Sequence, residues 1–240
     1  MTLQRLPGVS LWWQIAESLK ADIRAGTYRP GDRLPTELEL AERFRVNRHT
    51  LRRAVAALAE RGILRVEQGR GTFVHEDPID WPMGQRVRFS EIIERQQRSH
   101  AGELLRSAVI PAEEAAAKAL GIPTGAPVVL LVRLSRVDGR PLSIGDHHFP
   151  ADRFRGLDAA FRRTGGITAA LAEFGVADYL RKRTRITARL PDEAEAEMLE
   201  IPRSRPVLVT EAVNVDGDGR PIEFGVARTN SDRLQILVES

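Results

Sequence analysis

The stretch 33–74 most constrains what this chain can fold into, because it has the pattern of two helices separated by a short break and followed by a β-hairpin. A helix is predicted over 36–44, since Thr36 can cap free backbone N–H groups and the acidic residues after it suit the positive end of a helix dipole. After the break, Asn47 is a second N-cap and predicts a helix over about 48–59. This spacing is typical of a helix-turn-helix.

The second helix of this pair carries basic side chains on its outward face. Its apolar residues predict one buried side, whereas Arg48, His49, Arg52 and Arg53 point outward. Arg48 and Arg52 are four residues apart and therefore share a face. Guanidinium groups near the start of a helix in the major groove can bond guanine O6 and N7, and each such pair contributes about 1–3 kcal/mol of base discrimination.

A basic hairpin follows the second helix. Gly62 ends the helix, and β segments are predicted at 63–66 and 72–74, joined by 67–71. Glycines on both sides of Arg70 allow the backbone to approach a phosphate or the floor of a minor groove closely. The pattern predicts a winged helix-turn-helix that binds double-stranded DNA, and a small solvated basic domain is the alternative.

The charge of the chain is concentrated in this part. Residues 1–76 carry 13 Lys or Arg against 9 Asp or Glu, whereas residues 77–240 carry 23 against 24. The chain has no cysteine, which excludes disulfides, thiolate metal sites and cysteine nucleophiles. The first residues lack an apolar signal core, and no run approaches the roughly 20 apolar residues that span a bilayer. We therefore expect a soluble, cytoplasmic protein.

The length of 240 residues allows two domains. A first helix is predicted over 10–25, where apolar residues recur every four positions before Gly26. The segment 77–84 is a poor helix and a poor sheet interior because of its prolines, so it is predicted to be the interdomain linker. The predicted domains are therefore 1–76 and 85–240.

The second domain contains an internal repeat. Residues 110–123 recur as 190–202, and each copy continues with Pro-Val, a β-rich run, an Asp-Gly-Arg-Pro turn and a second β-rich run. Each copy is predicted to be a short helix followed by a β-hairpin, and another helix is predicted between the copies, ending at Gly175. Pairing the hairpins into one antiparallel sheet with helices on one side predicts an α+β fold with approximate two-fold symmetry, and a cleft between the halves suits a small ligand.

These motifs resemble a known family. Residues 34–37, 46–52 and 69–74 are similar to the GntR family of bacterial transcription regulators. The repeated hairpins resemble the UTRA effector domain of its HutC subfamily, whose fold is likened to chorismate lyase. Residues 86–90 and 146–150 are most similar to PhnF-type regulators of phosphonate use.

The resemblance implies DNA contacts from the recognition helix and the hairpin. Leu38 occupies a position where the family often has a DNA-contacting arginine, so that contact is absent here. The family binds near-palindromic operators as a homodimer, which is favoured because two half-sites square the discrimination of one. The candidate DNA-binding residues are Thr36, Asn47, Arg48, His49, Thr50, Arg52, Gln68, Gly69 and Arg70.

The resemblance also places an anionic or polar metabolite in the second domain. Arg133 lies in an apolar run, on the strand face of Val129, Leu131 and Ser135, and there meets either a protein carboxylate or a bound anion. Ser90 is predicted at the N-cap of a helix. It is either a plain cap or, as its match to a phosphate-binding serine in sugar-phosphate relatives implies, a ligand of a phosphonate or phosphate.

Other effector candidates come from the same resemblance. Two phosphate-contacting positions of those relatives are Gly166 and Thr168 here, and relatives direct a glutamate at the position of Glu223 toward the polar end of the ligand. His147 and His148 point to opposite faces of a strand, so neither a metal nor another cofactor is expected. The candidate effector-binding residues are Arg88, Ser90, Arg133, Asp146, His148, Thr168, Arg183 and Glu223.

These expectations describe a ligand-responsive repressor whose effector is a phosphonate or phosphate ester. A sugar phosphate or an amino-acid-derived ligand is the alternative within the same class. Two other classes are an enzyme with a lyase-like domain, for which the sequence shows no recognisable nucleophile, base and orienter set, and an architectural DNA-binding protein without an effector.

Overall fold

The chain divides into two compact units, Met1–Asp77 and Pro78–Ser240. A computed structural model of the protein describes residues 8–84 and 88–238. Gln85, at which the second domain was predicted to begin, lies outside the described residues, as do Arg86 and Val87 of the motif at 86–90. Each unit has its own hydrophobic core.

The N-terminal unit is a three-helix bundle with a β-hairpin, as predicted. Fully buried side chains of Ile15, Leu19, Leu51 and Leu58 form the centre of its core. The two hairpin strands pair antiparallel. The elements are α1 (Leu11–Arg24), α2 (Glu37–Phe44), α3 (Arg48–Glu60), β1 (Leu64–Glu67) and β2 (Gly71–Val74).

Side-chain caps fix the turn between α2 and α3. The Thr36 hydroxyl and the Glu39 carboxylate cap each other's backbone N–H groups at the start of α2. Arg45 ends α2 in the left-handed region with φ 52°, and Asn47 Oδ1 accepts a hydrogen bond of 2.8 Å from the backbone N–H of Thr50. Both predicted N-caps are therefore confirmed, and they orient the first turn of α3.

The C-terminal unit is built on a six-stranded antiparallel sheet of order β4-β5-β6-β9-β8-β7. The two sequence repeats meet where β6 pairs with β9, so the predicted joining of two hairpins into one sheet is confirmed. The strands are β4 (His100–Pro111), β5 (Pro127–Val137), β6 (Arg140–Pro150), β7 (Leu180–Arg189), β8 (Val207–Val215) and β9 (Pro221–Asn230).

The prediction that the helices lie on one side of this sheet is wrong. Val128 packs with α5 (Glu114–Leu120), and the neighbouring Val129 packs with α6 (Ala151–Phe154). Since successive strand residues point to opposite faces, helices cover both faces, and the unbroken apolar run at the start of β5 is the sequence signal for this. The remaining helices are α4 (Phe89–Arg95), α7 (Leu157–Thr164), α8 (Ile167–Ala172) and α9 (Glu193–Met198).

The predicted linker is also corrected. Within 77–84, Ile79–Pro82 forms strand β3, which pairs in parallel with β10 (Leu234–Leu237). Ile79 and Trp81 are buried in a cluster with Leu234, which stabilises the pairing. The proline at the end of β3 is compatible with a short strand that has a free edge.

Replacing the cap of α3 tests the local origin of this geometry. We expect Asn47→Ala to lower the free energy of unfolding of the N-terminal unit by about 1 kcal/mol, because the Thr50 N–H loses its acceptor. Urea denaturation followed by circular dichroism measures this change. Asn47→Asp keeps an acceptor and should retain most of the stability, and an equal loss in both variants would contradict the capping role.

Candidate DNA-binding surface and ligand cavity

The outward face of α3 presents exposed basic side chains. Arg48, His49 and Arg52 are all exposed. Arg52 Nε lies 3.0 and 2.8 Å from the two carboxylate oxygens of Glu37, so an exposed ion pair orients this guanidinium. Arg53, which the sequence also placed outward, stacks over the ring of Trp12 with its Cζ 4.8 Å from the ring centroid and thereby joins α3 to α1.

The hairpin carries a second group of polar side chains. Gln68 and Gly69 are exposed at its tip, and Gly69 has a φ of 76°. Arg70 pairs with Glu67, and its Cζ lies 5.5 Å from the ring centroid of Phe73. Arg33, which the sequence analysis did not single out, lies beside the hairpin, since a Cβ at Gly71 would be 2.8 Å from its Nε.

Two of the candidate DNA-binding residues are also structural. The Thr36 hydroxyl donates to Glu39 Oε2 at 2.7 Å, and the Thr50 N–H is capped by Asn47. The Thr36 hydroxyl is therefore already hydrogen-bonded within the start of α2, to the carboxylate and the backbone N–H of Glu39. Arg48, His49 and Arg52 are exposed on the outward face of α3, where they can meet base edges together if Arg52 exchanges its ion pair with Glu37 for DNA.

Two adjoining chambers lie in the C-terminal unit, a small one of about 120 Å³ and a large one of about 460 Å³. Trp81 and Thr210 line the small chamber but not the large one. Ser90, His100 and Thr168 line the large chamber but not the small one. The chambers share six lining residues, Phe89, Arg133, His147, Arg181, Asn214 and Glu223.

Two arginines of the shared wall have no carboxylate partner in the described part of the chain. Arg133 Nη2 lies 2.9 Å from His100 Nε2, and Arg181 Nε donates to Asn214 Oδ1 at 2.7 Å. Within residues 8–84 and 88–238, neither guanidinium forms an ion pair with a carboxylate. Burial lowers the pKa of both side chains, and the charge of Glu223 opposes that shift. Their charges are therefore balanced only in part.

The carboxylate of Glu223 is held by two side chains. Its Oε1 lies 2.5 Å from His147 Nδ1, and its Oε2 accepts from Asn214 Nδ2 at 2.6 Å. Burial alone would raise the pKa of Glu223, but the hydrogen bond and charge of His147, with the charge of Arg181, bring it below its ordinary value. The group is therefore ionised, and Asn214 connects it to Arg181.

Glycines make room for these side chains. A Cβ at Gly102 would lie 2.4 Å from Arg133 Nε, and a Cβ at Gly145 would lie 2.5 Å from His147 Nε2. Gly102 lies on β4, the strand that pairs with the Arg133 strand β5. Gly145 lies on β6, the strand that also carries His147. The backbone of β4 and β6 thus permits the guanidinium and the imidazole to lie across the sheet.

Ser90 lines the large chamber, but not as the predicted N-cap. Helix α4 begins at Phe89, with Arg88 as its N-cap, so Ser90 is inside the first turn. Arg88 bridges that turn by pairing with Glu91 at 3.0 Å, and Phe89 packs edge-on against His100. Thr168 lies across the large chamber, in the first turn of α8, and its hydroxyl is 2.9 Å from the Tyr179 hydroxyl.

Asp146 and His148 lie on the opposite face of the sheet from the chambers. Asp146 forms an ion pair with Arg228, with oxygens 2.8 and 3.2 Å from its Nη atoms. His148 Nδ1 lies 3.3 Å from the carbonyl oxygen of Phe224. Arg133 on β5 pairs with Gly145 on β6. The residue of β6 that shares the face of Arg133 is therefore His147, two positions after Gly145, and not Asp146 or His148.

Arg183 and Arg88 are also absent from the chamber walls. The register of β7 shifts between Arg181 and Arg183, and this bulge turns Arg183 to an exposed position. Arg88 donates to Glu91 and, at 2.6 Å, to Asp178, so its guanidinium group already has carboxylate partners. Arg88 also stacks on Tyr179, with Cζ 5.6 Å from the ring centroid.

Sequence reasoning missed several residues that the fold brings together. Alternation along β6 was a signal for His147 once Arg133 was chosen, and the bulge hid Arg181. No sequence pattern indicated the rest, because pairing between distant strands brings these residues to the cavity. The missed lining residues are His100, His147, Tyr179, Arg181 and Asn214.

In the described part of the chain, no three His, Cys, Asp or Glu side chains are grouped so as to hold a metal ion. None of the helices described there combines the length and the apolar character needed to cross a bilayer.

Comparison with known proteins gives matches over both units. A model of the bacterial regulatory proteins of the gntR family matches residues 12–74, and a UTRA domain model matches residues 95–235. The chain is 38% identical over 227 residues to the probable transcriptional regulator PhnF of Escherichia coli, covering 94% of this chain and 93% of that protein.

Proteins from mycobacteria are similar as well. The chain is 33% identical over 207 residues to the HTH-type transcriptional repressor PhnF of Mycolicibacterium smegmatis, covering 86% of this chain and 83% of that one. The crystal structure of PhnF from Mycobacterium smegmatis is similar with a TM-score of 0.65 and 29% identity, covering 94% of this chain and 98% of that chain.

The contact between His100 and Arg133 predicts a pH dependence of stability. Burial and the charge of Arg133 lower the pKa of His100 to about 4, whereas an unfolded histidine titrates near 6.5. Between these values the unfolded chain binds a proton that the folded chain does not, so stability falls as the pH drops from 7 to 5. Urea unfolding at both pH values measures the difference.

His100→Asn should flatten this dependence, whatever it does to stability at pH 7. His49→Asn, at an exposed position, is the matched control and should leave the difference between the two pH values unchanged. If the stability difference between pH 7 and pH 5 were unaltered in His100→Asn, the lowered pKa assigned to His100 would be contradicted.

Proposed function

Because the chain belongs to the GntR family of bacterial regulatory proteins and carries its UTRA domain, we propose that it is a cytoplasmic repressor that a small anionic metabolite controls. Membership of this family makes it a DNA-binding transcriptional regulator and not an enzyme. The observation that carries the effector proposal is the pair Arg133 and Arg181, which face one cavity without a carboxylate partner in the described ranges. The repressor role is supported by the name of the Mycolicibacterium smegmatis relative.

The operator is read by a homodimer. One α3 supplies only a few outward groups, Arg48, His49 and Arg52, and each bidentate contact to guanine gives about 1–3 kcal/mol of discrimination. Two copies related by a two-fold axis double this free energy on a near-palindromic site. The hairpin tip, with Gln68, Gly69 and Arg70, contacts phosphates or the minor groove beside each half-site.

The effector is a phosphonate or a phosphate ester. Guanidinium groups recognise tetrahedral oxyanions through paired N–H donors, and Arg133 and Arg181 both reach the large chamber. Ser90 and Thr168 add hydroxyl groups to the same wall. A large chamber of about 460 Å³ also accommodates a sugar phosphate, which is the second candidate effector.

Effector binding releases the operator by changing the arrangement of the two α3 helices that contact the half-sites in the dimer. The coupling needed is modest, since roughly 1–3 kcal/mol changes DNA affinity about 5- to 150-fold. Gel-shift titration of the upstream promoter fragment with phosphonates and phosphate esters tests the proposal. A complex that is indifferent to every compound would remove the anionic effector, and a complex that tightens would reverse the sense of control.

Substitution of Arg48 tests sequence reading by α3. We expect Arg48→Ala to lose about 2–6 kcal/mol of discrimination between the operator and a scrambled duplex, because one guanine contact worth about 1–3 kcal/mol disappears at each of the two half-sites. Fluorescence anisotropy at several salt concentrations measures both affinities. Arg53→Ala is the matched control, since Arg53 stacks on Trp12, and it should change the two affinities alike. Uniform weakening by Arg48→Ala would favour an architectural role.

Substitution of Arg181 tests the cavity. We expect Arg181→Gln to weaken effector binding about 10- to 150-fold, the effect of losing one hydrogen bond to a charged group, while operator binding without effector is retained. Arg183→Gln is the matched control on the same strand, because Arg183 is exposed and outside the cavity. Equal effects of the two variants in the gel-shift titration would contradict the assignment of the site.

A further inference from the structure

Polar atoms without a partner are concentrated around the small chamber. Among the described residues of the C-terminal unit, buried side-chain atoms without a hydrogen-bond partner include Trp81 Nε1, Arg133 Nε and Thr210 Oγ1. All three residues line the small chamber. Thr210 is 3% exposed and Trp81 is 8% exposed, so bulk solvent does not reach these groups. An unsatisfied buried polar group costs about 1–3 kcal/mol, and three such groups at one cavity indicate a place for an oxygen-bearing partner.

The small chamber is large enough for part of a ligand. Its volume of about 120 Å³ exceeds the roughly 30 Å³ that one water molecule takes up in the liquid. It shares Arg133 and Arg181 with the large chamber, so a tail of a few atoms that extends from an anion at these arginines enters it. This inference therefore rests on the proposed anionic effector.

We propose that the small chamber is the subsite for a neutral oxygen atom, a hydroxyl or a carbonyl, at the far end of the effector. Two of the three unpartnered groups, Trp81 Nε1 and Arg133 Nε, are N–H donors, so the group that enters must accept hydrogen bonds. The hydroxyl of Thr210 can donate as well as accept.

The charges of the shared wall disfavour a carboxylate or an ammonium at the far end of the effector. Glu223 and an ionised phosphonate both place negative charge beside Arg133 and Arg181, so the anion itself supplies the charge that these two arginines lack. A carboxylate at the far end would bring a second negative charge close to Glu223. An ammonium would direct its own donors at the Trp81 and Arg133 N–H groups, and the two oxygens of Glu223, the carboxylate of this wall, are already engaged by His147 and Asn214.

The experiment compares three tails of equal size on the full-length protein. Isothermal titration calorimetry measures the affinities of 2-hydroxyethylphosphonate, n-propylphosphonate and 2-aminoethylphosphonate, which differ only in a terminal hydroxyl, methyl or ammonium. We expect the hydroxyl compound to bind at least threefold more tightly than either of the others. The pair 3-hydroxypropylphosphonate and n-butylphosphonate extends the comparison to a tail that is longer by one carbon.

Thr210→Val removes the hydroxyl and keeps the shape of the side chain. It should weaken binding of the hydroxyl compound about three- to tenfold, as for one neutral hydrogen bond, and leave n-propylphosphonate unchanged. Its melting temperature should not fall, because the hydroxyl has no partner in the described structure. Thr187→Val makes the same change on the adjacent strand β7, at an exposed position outside both chambers, and should alter neither affinity.

The outcomes separate the subsite from the proposed function. If methyl-tailed and hydroxyl-tailed phosphonates bind equally in both pairs, or if Thr210→Val leaves their ratio unchanged, the small chamber holds solvent only and the subsite is overturned while the anionic effector stands. If inorganic phosphate and all five phosphonates fail to bind, the phosphonate effector and the subsite are both overturned.

Discussion

The antiparallel pairing of β6 with β9 is the constraint on which the C-terminal unit depends. It joins two repeats that cannot each bury a sheet face alone, and its register sets His147 opposite Gly225. Partners across an antiparallel ladder point to the same side of the sheet, so the contact between His147 and Glu223 lies over Gly225, where a Cβ would be 3.4 Å from His147 Nδ1 and 3.5 Å from Glu223 Oε1. A slip of one residue would move Glu223 to the other face, and the cavity would lose its carboxylate.

The two functional surfaces hold their arginines in different ways. On α3 and the hairpin, Arg52 and Arg70 pair with Glu37 and Glu67. Exposed ion pairs of the kind made by Arg52 contribute little free energy, so DNA phosphates and bases can replace such a carboxylate at small cost. In the cavity, the groups within hydrogen-bond distance of Arg133 and Arg181 are neutral among the residues that the structure describes. There the charge imbalance itself favours an anion, because burial makes an unbalanced charge costly.

Local chemistry allowed the N-terminal unit to be predicted from the sequence almost element by element, since caps such as Asn47 act on neighbouring residues. The repeat predicted the sheet for the same reason: each hairpin is local. The candidate cavity was predicted less well, because its walls depend on register. A bulge in β7 brings in Arg181 where the sequence suggested Arg183. Trp81 was assigned to a linker because its strand partner, Ile236, is far along the chain.

In the proposed regulator, the position of Trp81 in the chain would connect ligand binding to the DNA-binding unit. The hairpin of that unit ends at Val74, and β3 begins at Ile79, so only four residues connect the two elements. A connection this short transmits a shift of β3 more directly than a long flexible linker, which would absorb it. One or two hydrogen bonds gained at the small chamber contribute about 0.5–3 kcal/mol, which is the size of coupling that regulation requires. In the proposed regulator, contact with β3, rather than the total affinity of the ligand, would determine how strongly an effector controls the operator, because a ligand that binds both arrangements equally shifts neither.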